Sequence, residues 1–338
     1  LRHTLLTALP ATDARLPLLY AGLLALLCAA LLASLLLGYR TYAVGDLWSA
    51  LAAFDGGEAH TVIRSYRLPR AVVAPLVGAA LGVAGVVVQT LARNRIASPD
   101  TLGLNAGASL AVVAASAGFG ISSAIGLSLA AAGGAFLTSI LVFALAATAG
   151  GLSPLRIVLI GVTFAGLMNA LVEVVLTVNE AELQQLLFWL SGAFVDRPLN
   201  LVGNALPLVL AGTLIAAFLA RALDALQTDD ATAQSLGAPL LLIRIASFVA
   251  VSLLTGAAVA MAGPVAFIGL VVPHAARALV GSRHGQQLAA AALIGAVYAT
   301  CADVLARFVI FPTEAPVGAI TAVVGAVLLL VLLRRRAA

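Results

Sequence analysis

In the stretch RSYRLPR, the residues Arg64, Arg67 and Arg70 recur every third position. Residues three apart on a helical turn share a face, and like charges there repel unless an anion meets them. A guanidinium presents a planar fork of N–H donors that matches a carboxylate or phosphate, so this spacing suggests recognition of an anionic surface. The plainer alternative is a set of side chains snorkelling from a membrane edge. Asp303 and Arg307, in ADVLAR, are four apart and read as an ordinary ion pair along one helix, with Arg307 directed at the same outer vestibule.

Catalytic chemistry finds little support. All 18 basic residues are Arg and Lys is absent, so the chain has no P-loop, which needs a Lys on the phosphates. His3, His60, His274 and His284 have no metal-ligand spacing, and no Ser/His/Asp or Cys/His arrangement stands out. Cys28 and Cys301 lie in separate apolar runs and are expected to be buried, inert thiols. Glu173, in LMNALVEVVLTVNE, is a candidate proton site for an ion-coupled carrier; the plainer reading is a helix-end carboxylate satisfied by a neighbour. No catalytic residue, metal site or resident cofactor is expected in this chain.

These residues are set in 338 residues that are 62% hydrophobic and 9% charged, with a mean hydropathy of +1.12. Soluble domains are far less apolar. A helix needs about 20 apolar residues to cross a bilayer. Ten segments qualify: 16–37, 69–92, 102–119, 123–149, 155–178, 199–221, 241–263, 264–281, 287–308 and 316–333. The eighth holds Pro264 and Pro273 and is expected to be short, broken or partly re-entrant. The first follows Arg2 and Arg15 as a signal peptide would. Its apolar run is longer than a signal h-region, however, and no small-residue cleavage site follows in LGYRTYAVG, so it reads as a span. The expected fold is all-α: one polytopic membrane domain over 1–338 with about ten transmembrane helices.

The net charge of +4 comes from loop arginines, which is a topology signal and not a nucleic-acid footprint. With a cytoplasmic N-terminus and ten crossings, twelve arginines fall inside and six outside, which satisfies the positive-inside rule and leaves both termini cytoplasmic. Four of the six, Arg40, Arg64, Arg67 and Arg70, crowd one external loop against that rule. Within the second span, Gly78 and Gly82 of GAALG form a GxxxG face suited to close helix packing.

Two polar interruptions carry helix signals. Externally, around 179–198, Asn179 can cap a short amphipathic helix, Glu180 and Glu182 suit its positive end, and Leu186, Leu187 and Trp189 form its apolar face, with Trp189 as an interfacial anchor. On the cytoplasmic side, in the loop 223–240, Thr228 or Asp229 can cap a short helix, Asp229 and Asp230 suit its dipole, and Gly237 with Pro239 stops it. Such a helix is either a rigid knob for another protein or a plain connector.

Taken together, RLPR, GAALGVAGVVVQ, RNRIASPDTLGLNAGAS, ATAQSLG, GPVAFIGLVVPHAAR, ADVLAR and PVGAITAVVGA, in this order over about 16–336, resemble the FecCD-type (BtuC-like) permeases of ABC importers for ferric siderophores, haem and cobalamin. The resemblance implies a type II ABC importer permease fold in the bacterial inner membrane. It also implies a second permease subunit, identical or paralogous, with the pathway along their interface, two cytoplasmic ABC ATPase subunits that bind the ATP and Mg, and a periplasmic substrate-binding protein. Docking of that protein maps by resemblance onto Arg67, Arg70 and Arg307. The ATPase-coupling helix maps onto Asp229, Asp230, Ala231, Thr232, Ala233, Gln234, Ser235, Leu236 and Gly237. A cytoplasmic gate maps onto Asn94, Ile96, Pro154 and Leu155. The chain departs from the family in having Asn94-Arg95 where members often have Asn-Pro. The expected cargo is a ferric siderophore or ferric citrate-like chelate, with haem or cobalamin as the alternative, moving through a mostly apolar and weakly polar pathway.

Overall fold

A computed structural model describes residues 15–148, 153–178, 186–187, 189–195, 197–227, 230–235, 239–310 and 313–337. Long apolar runs in a bilayer must satisfy their backbone groups within the segment, and helices do so. Among the described residues, seven helices are long and apolar enough to cross a membrane: α1 (Leu16–Leu36), the continuous stretch Glu58–Leu91, α6 (Ala124–Thr148), α7 (Pro154–Val178), α8 (Leu199–Phe218), α11 (Leu240–Ala262) and α13 (His284–Ala306). Three shorter apolar helices join them: α5 (Leu104–Phe119), α12 (Ile268–Val280) and α14 (Val317–Ala337). Short helices occupy the connections: α2 (Val44–Ala52), α3 (Glu58–Thr61), α9 (Ala220–Leu226) and α10 (Asp230–Ser235). The stretch from Glu58 is α3, a π-helical turn Val62–Arg67, and α4 (Leu68–Leu91).

The core is built on α4 and α11, whose most apolar windows are 78% and 72% buried, against 11% for α1. An apolar helix that shows most of its surface outward has lipid, or a second subunit, as its partner. The GxxxG face forms the crossing of α4 with the antiparallel α13. A Cβ at Gly78 would come 2.0 Å from the Gly295 carbonyl oxygen, and one at Gly82 would come 2.5 Å from that of Ala291. Backbone therefore packs on backbone there, which no larger residue permits.

Three interruptions turn inward. After α4, Arg93 takes a left-handed conformation (φ 46°) and the chain doubles back. Its 3₁₀ turn Pro99–Leu102 then lies against Gly161, where a Cβ would meet Thr101 O at 2.5 Å. Gly161 is seven residues, about 10 Å, inside α7. After α11, residues 263–267 are non-helical and α12 begins only at Ile268, behind Phe267 at φ 68°. The segment around Trp189 folds into the bundle, Ala193 N–H donating to Ala262 O at 2.8 Å and Gly318 N–H to Gly192 O at 3.2 Å.

Some expectations are corrected. Trp189 is buried and packs inside the protein, so it is no interfacial anchor; Asn179, Glu180 and Glu182 lie outside the described residues. Cys28 and Cys301 are both exposed on the bundle's surface, because in a membrane protein an apolar neighbourhood in sequence is as often lipid-facing as core. Glu173 is exposed on α7, five residues before the end of that helix at Val178.

Candidate functional site: two polar networks at the ends of one helix pair

The antiparallel pair α4 and α13 carries a polar network at each end. Arg70 and Thr90 mark those ends on α4, 20 residues or about 30 Å apart.

At the first end, Arg70 donates through Nε and Nη2 to Asp303 Oδ1 at 3.1 and 2.7 Å, and through Nη1 to Glu314 Oε1 and Oε2 at 3.0 and 2.8 Å. Arg307 reaches the other oxygen of Asp303 and donates to Ser34 O at 2.6 Å, Leu37 O at 2.8 Å and Ser34 Oγ at 2.8 Å. Arg67 donates to Leu35 O at 2.9 Å and to Arg40 O, with its guanidinium 4.6 Å from the centre of the Tyr42 ring. All three arginines are buried and Asp303 is fully so. Thus the Asp303–Arg307 pair is no ordinary surface pair: one carboxylate bridges two guanidinia, and Arg307 ties α13 to the C-terminal end of α1.

The three-residue spacing does not hold one face. The π turn rotates Arg64 away, and its side chain lies exposed 5.1 Å from the Phe54 ring. The anions that meet Arg70 belong to the chain itself. Gly38, Tyr39, Val62, Tyr66, Arg67, Arg70, Val195, Arg307 and Glu314 line a cavity of ≈ 260 Å³. Three guanidinium charges against the two carboxylates Asp303 and Glu314 leave one net positive charge beside it. Glu314 escaped sequence reasoning because it sits in a loop far along the chain from RLPR, with no periodicity to link them.

At the other end, His284 heads α13. Its Nδ1 lies 2.7 Å from Asp224 Oδ1 of α9 and its Nε2 lies 2.7 Å from Thr90 Oγ1 of α4, and its backbone N–H donates to the same Asp224 oxygen at 2.9 Å. Gln227 donates to Ser282 O at 2.9 Å, and Arg93 Nε to Leu226 O at 3.2 Å. Thr90 also donates to Val86 O at 3.0 Å and is buried with His284, so this is a structural strut and offers no open nucleophile. The strut fixes α9, which leads directly into α10. Of the loop helix expected at 229–237, Asp230–Ser235 is helical, with Ala233 buried and Gln234 and Ser235 exposed; Asp229, Leu236 and Gly237 lie outside the described residues. Sequence reasoning missed Thr90, Asp224 and His284, which are brought together only by helix packing.

Of the expected gate residues, Asn94 and Ile96 follow the C-terminal end of α4, and Pro154 and Leu155 begin α7. Asn94 accepts from Ile96 N–H at 3.0 Å through its side chain and from Ala97 N–H at 3.1 Å through its carbonyl, closing a compact turn without the proline. Ile96 and Leu155 are exposed, and Pro154 opens α7. Among the described residues no cluster of three or more His, Cys, Asp or Glu side chains could hold a metal ion.

Interrupted helices inside an all-helical membrane domain are a feature that transporters share. Comparison with known proteins gives the family: the chain matches the FecCD transport family over residues 26–335 and belongs to it. It is 37% identical over 316 residues to the probable siderophore transport system permease protein YfiZ of Bacillus subtilis (strain 168), covering 93% of this chain and 95% of that one. It is 38% identical over 316 residues to the ferric enterobactin transport system permease protein FepD of Escherichia coli (strain K12), covering 93% and 94%. A solved metal-chelate type ABC transporter in an inward-facing conformation superposes with a TM-score of 0.82 at 30% identity, covering 94% of this chain and 99% of that one. The chain is thus a multi-pass ABC importer permease of the inner (plasma) membrane, a transport subunit.

Proposed function

We propose that this chain forms, with a second permease subunit, the membrane pathway through which a ferric siderophore or ferric citrate-like chelate enters the cytoplasm, driven by ATP hydrolysed with Mg on two separate ATPase subunits. The chain itself performs no chemistry. The observation that carries the reading is the strut Thr90–His284–Asp224, which ties α9, the helix that precedes the loop helix α10, to the ends of α4 and α13. An ATPase gripping Asp229 to Gly237 would then move the gate residues Asn94, Ile96, Pro154 and Leu155 as its nucleotide state changes, biasing an inward- or outward-open equilibrium.

At the opposite face, a periplasmic binding protein docks its carboxylates at the cavity of Arg67, Arg70 and Arg307. Support comes from the net positive charge there and from the favourable geometry of Arg with carboxylate. Because these arginines are buried and already paired, they act through the net positive charge that they leave beside the cavity and not as free hands.

The test is reconstitution. Proteoliposomes holding the permease and its ATPase, supplied with the binding protein and external radio-iron chelate, should accumulate iron only with internal ATP. Accumulation driven by an ion gradient, with neither ATPase nor binding protein present, would instead make the chain a secondary carrier acting through Glu173.

A further inference from the structure

The three inward interruptions meet at one cavity. The 3₁₀ turn after α4, the segment around Ser191 and the break at Pro264–Ala266 border an open cavity of ≈ 360 Å³, lined by Asp100, Asn105, Ser109 and Asn169 among others. Broken helices that converge inside the membrane are where transporters place polar contacts to cargo, since non-helical backbone survives there only against protein or a wet cavity. This cavity is far more polar than a generally apolar pathway would offer.

Its chemistry is lopsided. Asn105 donates its side-chain N–H to Asp100 Oδ1. A carboxylate only accepts, so this contact fixes the amide with its nitrogen towards Asp100. The oxygen Oδ1 of Asn105 is then left buried with no hydrogen-bond partner, on a side chain that is 9% exposed. A buried acceptor without a donor costs free energy unless something arrives to satisfy it. The residues lining the cavity include one carboxylate and no Arg or His. Among the described residues that line it, the cavity lacks positive charge.

Resting on the permease reading above, we infer that this cavity is a transit site for the cargo, and that it selects neutral or cationic, donor-bearing ferric chelates over polyanionic ones. Three singly charged hydroxamates neutralise a ferric ion, and a pendant ammonium makes the complex cationic; amide N–H or ammonium groups then reach Asn105 Oδ1 and Asp100. Three doubly charged catecholates leave a trianion, which the Asp100 carboxylate repels. At ≈ 360 Å³ the cavity grips one side of a chelate and does not enclose it.

The experiment uses the permease–ATPase complex in lipid nanodiscs without the binding protein, whose own selectivity is thereby removed. Equilibrium binding of radio-iron is measured for a neutral trihydroxamate, an amine-bearing trihydroxamate, a tris-catecholate and ferric dicitrate. The neutral and cationic chelates should bind at least about tenfold more tightly than the two anions. Asp100→Asn should remove the preference for the cationic over the neutral chelate. Asn169→Arg, at an exposed position on α7, should shift the order towards the tris-catecholate while thermal stability stays unchanged. The inference is overturned if the anions bind as tightly in the unaltered complex, if neither variant changes the order, or if none of the four binds. ATP-driven uptake of any ferric chelate in the complete system would still uphold the permease reading, which fails separately if no chelate is imported.

Discussion

Arg70 and Asp303, 233 positions apart in sequence, form a salt bridge of 2.7 Å in which the carboxylate is fully buried. Asp303 also holds Arg307, so a single carboxylate keeps two guanidinium groups compensated where α1, α4 and α13 meet. Replacing it with Ala strands two buried charges, and breaking a buried pair by removing one partner costs about 3–5 kcal/mol. Asp303→Ala should therefore lower the thermal stability and yield of the purified subunit much more than Glu314→Gln, whose carboxylate is partly exposed. Equal stability of the two variants would show that Asp303 is not the keystone.

Glu314 tests the docking cavity without disturbing its core. Glu314→Gln raises the local net charge from one to two, so a carboxylate-bearing binding protein should dock more tightly and with steeper salt dependence. Titration of the complex with the binding protein at two ionic strengths reads this directly. Unchanged affinity would place docking elsewhere. Arg67→Glu and Arg70→Glu are expected to abolish binding-protein-dependent uptake, but because both side chains are buried, their folding must be measured alongside.

Ser235→Pro removes the backbone N–H of the last residue of α10 and sets the proline ring against the preceding turn. The expected outcome is an intact permease that no longer co-purifies with its ATPase. Retained co-purification and coupled hydrolysis would make the loop a mere connector.

His284→Ala should uncouple the machine without detaching the ATPase. It removes the link from Asp224 to Thr90, so ATP hydrolysis should continue while chelate uptake falls about tenfold, with His284→Asn restoring part of the coupling. A purely structural role would depress hydrolysis and uptake together in both variants.

Much of the fold was legible because its determinants are local. Apolar runs with turn residues between them mark helices wherever the backbone must bond to itself, and α6, α7 and α11 fall within one residue of their expected bounds. The break before α12 was written in Pro264, whereas Pro273 lies inside α12 without ending it. Hydropathy does not tell a lipid-facing surface from a protein-facing one, which is why Cys28 and Cys301 were placed inside and Trp189 at the interface.

The candidate sites divide in the same way. Arg67 and Arg70 stood out because charge is rare in such a chain and topology does not account for it, while Arg307 was singled out by the family resemblance. That they are paired and buried, with Arg64 excluded, depends on a π turn and on a glutamate far along the chain. Thr90, Asp224, His284, Asp100 and Asn105 look ordinary in sequence. By itself the sequence determined a lysine-free, all-helical membrane permease of the FecCD kind, because hydropathy and motif order are properties of the chain. Tertiary structure alone decided which charges neutralise one another and where the polar cavity lies, because pairing energies depend on distance and burial, and both arise only when helices remote in sequence pack together.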